Sequence, residues 1–410
     1  MLPSDPDVVI IGAGCAGIAA ARALHSRRIS CVVLEAGSRP GGRAFTESES
    51  LGTPFDHGAT WLHQADDNPL TLHAGPSLDH DTVRERHLWL GTRFATPAEL
   101  TEHAAASDAF DAALEAAPAT PDSAVATYAP QGGPWDATVA HWLGNQINAA
   151  PISDISREDF LKTDLAGPNL LPEQGVGGIV ARLATGLSIR LDSPVRRLRW
   201  DGPGVVVEGD FGTLRARAAI VTVSTGVLAA GGIRFTPDLP PSHQAALHGL
   251  PMGLLTKLGF RATGPDRLGL APFHSVGRSV TKDAPHPFGW IAWPFGRDHI
   301  FGFVGGDQAW ALSRNHTTEE AARADLAAIF GSRATAALGR CVVTDWGTNP
   351  YFLGSYTHAR PGHHASRSKL AEPLADGRLL LAGEACHSRF AGTVAGAWLS
   401  GEAAAKLVAL

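Results

Sequence analysis

The chain has 410 residues, room for about two or three domains, and its 44% hydrophobic and 18% charged content excludes a disordered or coiled-coil chain. Its 34 Lys and Arg against 40 Asp and Glu leave a net charge of −6 with no basic block, so nucleic acid is not an expected partner. Cys15, Cys31, Cys341 and Cys386 are far apart and form no C-x-x-C pair, which argues against a disulfide framework and for a reducing, cytoplasmic setting.

Residues 1–7 (MLPSDPD) lack the charged and apolar regions of a secretory signal. No run of about 18 apolar residues offers a membrane span. The apolar run 7–11 (DVVII) predicts a buried strand, the alanine-rich stretch to Leu24 a helix, and 31–36 (CVVLEA) a second strand. This β-α-β unit is the usual opening of a doubly wound parallel sheet. Further along, 98–117 reads as a helix and the Pro- and Gly-rich 118–134 as a loop. Short β-type runs fill 188–223, and antiparallel strands fill 252–305, with a hairpin turning at 295–298. LLLAG (379–383) is another buried strand and 393–408 an apolar helix.

Gly12, Gly14 and Gly17 form G-x-G-x-x-G between the first strand and its helix, with Ala16 inside the motif. The first glycine permits the tight turn, the second lets backbone approach a pyrophosphate, and the third lets helix and strand pack closely. The helix N-terminus supplies free N–H groups for phosphates. Glu35, followed by Ala36, ends the second strand, where a carboxylate accepts from ribose hydroxyls and disfavours a 2′-phosphate, so NADP fits poorly. A second glycine pair with a basic residue, Gly41-Gly42-Arg43, brings further backbone and a charge to a phosphate. A plain NAD site does not need that contact, so the expected cofactor is FAD. Dinucleotide signals at both chain ends imply that the chain leaves the nucleotide domain and returns to it.

From these blocks onward the sequence resembles the flavin amine oxidases, the monoamine and polyamine oxidases. The resemblance runs through VVIIGAGCAGIAAARAL, VVLEAGSRPGGRAFT, FDHGATWLH, VTVSTGVLAAGGIRFTPDLP, MGLLTK, NPYFLGSYTHARPG and LLLAGEACHSRFAGTVAGAWLSGEAAA. GATWLHQADDNPL looks most like the polyamine-oxidase branch, and 75–170 shows no matching motif. The resemblance implies an α/β fold: a Rossmann-like FAD domain (1–75, 172–232 and 345–410) interleaved with an α+β substrate domain of mixed sheet and helices (76–171 and 233–344). The chain is short for the family, which implies a trimmed helical part and a more open pocket.

Carried over residue by residue, Glu35 would bind ribose and Arg43 the pyrophosphate region. Gly58, Ala59, Thr60 and Trp61 would line the flavin ring, and Val195 would contact adenine. Glu384, after Gly383, would bind ribityl or pyrophosphate groups. Gly392, Thr393 and Val394 would present a helix start to the flavin's pyrimidine edge, where negative charge develops on reduction. Lys257, read alone, is a solvent-facing strand lysine; the resemblance makes it the lysine that reaches flavin N5 through water. Tyr356 matches one wall of the aromatic cage that holds the amine. Thr393 occupies the place of the opposite tyrosine, with Phe390 or a tryptophan as substitute, and Trp346 packs near the ring. Ser355 stands where monoamine oxidases carry the cysteine bonded to flavin, which implies non-covalent FAD. His63 either contacts substrate or is a satisfied buried histidine. Asp66 and Asp67 either attract a distal ammonium or form a solvated turn. His358, His363 and His364 show no metal-ligand spacing, and no metal is expected.

The implied reaction is oxidation of a C–N bond of a primary or secondary amine, polyamine-like or monoamine, to an imine, with O2 as acceptor and H2O2 released. The expected partners are a small-molecule amine and O2, with the protein a monomer or homodimer. Two other readings stay open. One is another FAD oxidoreductase, such as an L-amino-acid oxidase or a desaturase, although no carboxylate-clamping arginine follows the GGR block. The other is a non-catalytic flavoprotein scaffold, although neither a tower-like coiled coil nor a basic tail supports it.

Overall fold

The computed structural model describes residues 6–262 and 266–409; most of the segment read for a leader, 1–5, lies outside them. Val8–Ile11 is buried along its whole length, as a β-branched run covered on both faces must be. It is the central strand of a five-stranded sheet. The order is Leu379–Leu381, Ala218–Val221, Val8–Ile11, Cys31–Leu34, Ile189–Arg190, and every pairing is parallel. Strands from the beginning, middle and end of the chain thus share one Rossmann-like sheet. Helix Cys15–Ser26 covers it together with Val394–Leu407. The two helices lie so close that a Cβ on Gly401 would stand 2.1 Å from the Ala16 carbonyl oxygen.

A four-stranded sheet, Gly212–Ala216, Val205–Gly209, Val195–Arg199 and Arg234–Thr236, packs against the other face. Ile233, Phe235, Leu239, Leu247 and Leu250 join that core, beyond residue 232 where the cofactor domain was expected to pause.

The second body is a six-stranded sheet. Its order is Leu338–Val343, Leu255–Ala262, His299–Gly305, Gly289–Ala292, Ser275–Arg278, Arg86–Trp89. All pairings are antiparallel except the last. Gly289–Ala292 and His299–Gly305 pair through the expected hairpin. Helix Pro97–Ala116 occupies the stretch read as helical and opens with a capping box of Thr96 and Glu99. The stretch 118–134 is loop apart from a short 3-10 turn, Val125–Thr127. Asp136–His141, a π-helical turn Trp142–Ile147 and Arg157–Lys162 complete the helical part around Phe110, Leu114 and Val125. Among the described residues no helix is long and apolar enough to cross a membrane.

Candidate active site between the two sheets

A cavity of about 970 Å³ runs from the first glycine turn to the six-stranded sheet. Its floor is set by three glycines with different reasons to be glycine. Gly12 has φ +104°, and a Cβ there would lie 2.7 Å from Thr222 Oγ1. A Cβ on Gly17 would stand 1.9 Å from the Gly12 carbonyl oxygen, so the helix seats on the turn only without one. Gly14 has an ordinary φ of −74°, and a Cβ there would meet nothing within 4 Å. The space it leaves open belongs to the cavity. That is a cradle for a ligand placed against the N-terminus of Cys15–Ser26.

Glu35, 9% exposed, lines the same end with Ala16, Ala36 and Val195. Its Oε2 accepts from the Ala13 amide (2.6 Å) and its Oε1 from the Gly37 amide (2.8 Å). Burial nevertheless raises its pKa. Gly42, at φ +58°, lies over Gly14: its Cβ would be 3.2 Å from Gly14 Cα. Arg43 Nη1 donates to the Ser355 carbonyl (2.6 Å) and to Glu384 Oε1 (3.2 Å). Its side chain, 23% exposed, also lines the cavity. Part of the guanidinium is therefore used to fix Glu384, a role that the spacing of Gly42-Arg43 did not reveal.

Gly383, Glu384, Gly392, Thr393 and Val394 form the facing wall. Thr393 caps Val394–Leu407, its Oγ1 accepting from the Gly396 amide at 3.1 Å. An extended cavity with a ribose acceptor and a helix N-terminus at one end, and a second helix start toward the other, fits FAD in shape and donor chemistry.

At the far end Gly58, Ala59, Thr60 and Trp61 line the cavity. A Cβ on Gly58 would fall 1.8 Å from the Arg43 carbonyl oxygen, and Trp346 donates its Nε1–H to the His57 carbonyl at 3.3 Å. Lys257, 6% exposed, does not face solvent. Its Nζ donates to Thr60 Oγ1 and to the Gly58 carbonyl (3.4 Å). The rings of Phe301, Phe55 and Trp61 stand 4.8, 5.4 and 5.9 Å from it. Burial pushes its ammonium down to about 8, against the pull of Asp56. Asp56 is itself held by Thr46 and by the Val176 and Gly177 amides.

Tyr356 lines the cavity and donates its hydroxyl to the Ile147 carbonyl at 2.9 Å, on the π-helical turn. Burial raises its phenol pKa. Ser355 Oγ accepts from the Leu255 amide (2.7 Å) and donates to the Gly253 carbonyl (3.1 Å). His63 stacks on Trp61 and pairs its Nδ1 with Asn169 Oδ1 at 2.6 Å. Asn169 Nδ2 donates to Asp81 (2.6 Å), which identifies its oxygen as the acceptor and puts the His63 proton on Nδ1. In its neutral form His63 therefore carries a lone pair on Nε2, and burial lowers its pKa.

One expectation needs correction, and one open alternative is decided. Phe390 does not line the cavity; it packs against His387. Other rings that do line the cavity include Trp61, Trp142 and Phe303. Of the two readings of Asp66 and Asp67, the solvated turn fits: both are exposed, Asp67 pairs with Arg389 at 2.8 Å, and neither lines the cavity. Among the described residues, Glu85, His87 and His274 stand close enough to share an ion, a grouping that the sequence did not single out. A direct His87–His274 hydrogen bond of 2.8 Å accounts for that approach. Residues from 75–170 and from 367 complete the cavity: His80, Arg84, Arg86, His141, Gln146, Asp159, Phe160 and Arg367. They carry no motif, and only their tertiary placement identifies them.

A model of the family described as flavin containing amine oxidoreductase matches residues 154–409. One for an NAD(P)-binding Rossmann-like domain matches 10–73. The chain is 29% identical to polyamine oxidase 4 of Oryza sativa subsp. japonica, over 98% of this chain and 88% of that protein. It is 28% identical to lysine-specific histone demethylase 1 homolog 3 of the same plant, over 98% of this chain and 54% of that protein, and thus spans about half the length of such demethylase relatives. Among solved structures, cyclohexylamine oxidase from Brevibacterium oxydans IH-35A superposes with a TM-score of 0.77 at 23% identity, and a redesigned putrescine oxidase with 0.80 at 20%. Each alignment covers 98% of both chains. With its Rossmann-like sheet, its dinucleotide-shaped cavity and a family match over more than half its length, the chain belongs to the flavin-containing amine oxidoreductase family.

Proposed function

We propose that this chain holds FAD non-covalently and oxidises a C–N bond of a small primary or secondary amine to an imine, with O2 as acceptor and H2O2 released. The observation that carries the reading is the buried Lys257–Thr60 contact, set in the same cavity as Glu35 at one end and Tyr356 at the other. When bound, the flavin supplies the two-electron acceptor. Residues 1–75, 172–232 and 345–410 hold it. Glu35 takes the ribose, the turn from Gly12 to Gly17 and Gly42-Arg43 take the pyrophosphate, and Val195 takes the adenine. Gly58 to Trp61, Trp346 and the 392–394 turn surround the ring. Residues 76–171 and 233–344 supply the substrate side, apart from 233–250, which pack with the cofactor-side sheets.

Tyr356 orients the amine by presenting a ring face to nitrogen. Its hydroxyl is engaged by Ile147, so the ring is fixed before substrate arrives. His63, neutral with a bare Nε2, accepts a hydrogen bond from a substrate N–H and favours the neutral amine that oxidation needs. Lys257 keeps a positive charge where negative charge develops as O2 is reduced.

The substrate class follows from the same lining. Of its carboxylates, Asp81 is paired with Arg84 (3.0 Å) and Asp159 with Arg367 (2.6 Å). Glu35 and Glu384 stand on the cofactor side, and Asp164 is exposed. No buried, unpaired carboxylate therefore lines the described cavity for a distal ammonium. Trp142, Phe160, Trp290 and Phe303 favour an apolar remainder. Anaerobic bleaching of the flavin tests this with benzylamine, putrescine, spermidine, spermine, an L-amino acid and a methylated histone-lysine peptide, the last prompted by the demethylase relatives. The reading expects bleaching by the aromatic monoamine, peroxide on readmission of air, and slower reaction with spermine. A protein that binds FAD but is bleached by none of the amines is not this enzyme.

A further inference from the structure

Glu384 has both carboxylate oxygens engaged by protein. Oε1 accepts from Arg43 (3.2 Å); Oε2 accepts from the Thr357 hydroxyl (2.7 Å), the Gly392 amide (3.2 Å) and the Thr357 amide (3.4 Å). The single hydrogen of the Thr357 hydroxyl therefore points at Glu384. Its oxygen is left to accept from Arg367 Nη1 at 2.9 Å. Its Nε and Nη2 grip Asp159 by two bonds of 2.6 and 2.7 Å, and Nη2 also reaches the Thr357 carbonyl at 3.4 Å. Arg367 is 1% exposed and Asp159 4%.

A buried ion pair of this kind is weak evidence for stability, because desolvating both charges offsets most of their attraction. Its geometry, however, has a direction. Asp159 occupies two arms of a planar, rigid fork, and the third arm is aimed at the Thr357 hydroxyl. Through Thr357 it orders the carboxylate that in turn holds Arg43 and the Gly392 amide. The chain of bonds starts in helix Arg157–Lys162, whose Phe160 lines the substrate end of the cavity. It ends at the turn before Val394–Leu407.

We propose that Arg367, set by Asp159 and acting through the Thr357 hydroxyl, is a positioning residue that fixes Glu384, Arg43 and the 392–394 turn against the bound flavin. The inference rests on the FAD reading given above. Asp159, Arg367 and Thr357 need not touch the cofactor for this role. Thr357→Val keeps the side-chain shape but removes the relay: an Arg367 N–H loses its acceptor, and Glu384 Oε2 keeps only the Gly392 and Thr357 amides. Thr357→Ser keeps the relay. Arg367→Lys keeps the charge but cannot hold Asp159 and Thr357 together.

The experiment is FAD titration of the apoprotein, read by quenching of flavin fluorescence, with the visible spectrum of the bound flavin and the far-UV circular dichroism of each variant. Thr357→Val and Arg367→Lys are expected to weaken FAD binding by about tenfold or more, the equivalent of one charge-assisted hydrogen bond, and to shift the bound-flavin spectrum. Thr357→Ser is expected to bind within about twofold of wild type, a rescue measured against the same tenfold scale. If Thr357→Val fails to fold, Arg367→Lys decides alone. Wild-type affinity and spectrum in the folded variants would overturn the inference and leave the FAD reading standing. A wild-type protein that binds no FAD would overturn both.

Discussion

Lys257 reaches from the six-stranded sheet to the hydroxyl of Thr60, so the one contact joins that sheet to the loop 58–61 across the cavity. Three aromatic rings surround the ammonium and exclude water from it. Such a charge acts at high strength because little solvent screens it. Lys257→Met should leave FAD affinity within about twofold but slow reoxidation of reduced flavin by O2 by roughly 100-fold, the usual cost of removing one preorganised electrostatic group. Stopped-flow mixing of reduced enzyme with O2 measures it. An unchanged oxidative half-reaction removes Lys257 from the mechanism. The same residue has a stability signature. Its folded pKa of about 8 lies below the ordinary 10.5, so between those values the unfolded chain holds a proton that the folded chain lacks. Wild-type stability should rise with pH across that window relative to Lys257→Met.

Gly14 and Gly17 should respond in opposite ways to one added methyl group. A Cβ on Gly14 enters open space, so Gly14→Ala should fold with an unchanged apoprotein melting temperature. It should lose FAD affinity by about tenfold or more, since the methyl occupies ligand space. A Cβ on Gly17 would overlap the Gly12 carbonyl oxygen at 1.9 Å, and Gly17→Ala should destabilise the apoprotein by about 3 kcal/mol or fail to fold. Melting curves with and without FAD separate the two effects. Equal losses of apoprotein stability would contradict the division of roles.

The contrast between these glycines shows what a sequence carries. Turn geometry, strand burial and the close helix contact are local, so periodicity and spacing within about 30 residues expose them. Glu35 and the parallel sheet were legible for that reason, and Lys257 and Tyr356 through the resemblance. Asp159 and Arg367 were not: they meet across 208 positions of sequence, and no local pattern distinguishes a buried Arg from a surface one. Asp67 was left open between an ammonium contact and a solvated turn because Arg389, its partner, lies 322 positions away. Phe390 was offered as a cage wall from its place in a motif, but its backbone direction is set by the cap of the last helix, whose Thr393 hydroxyl donates to the Phe390 carbonyl at 2.7 Å.

Acid should unfold this protein through its histidines. Burial pushes His80, His141, His299 and His358 each down to about 4. Between 6.5 and 4 the unfolded chain takes up protons that the folded chain refuses, so stability falls as pH drops through that window. Each site is worth up to about 3 kcal/mol at full effect. Urea midpoints should decline below pH 6.5, and His299→Asn should show a shallower decline than wild type. A midpoint independent of pH over this range would mean that these rings are protonated in the folded state.

Ser355 bears on how the flavin is held. Its oxygen accepts from the Leu255 amide and its hydrogen goes to the Gly253 carbonyl, so the hydroxyl is fixed as a structural link between neighbouring strands. A hydroxyl so engaged is a poor nucleophile without a general base to remove its proton. Among the described contacts no histidine or carboxylate approaches it. Precipitation of the purified holoenzyme with trichloroacetic acid should therefore leave all of the flavin in the supernatant, quantified by its visible absorbance. Flavin carried down with the protein, and surviving digestion as a coloured peptide, would place a covalent bond elsewhere in the site. Ser355→Ala should still bind FAD, because the residue's contribution is to the Leu255 and Gly253 backbone. Its cost should appear as about 1 kcal/mol of stability from an amide left without its acceptor.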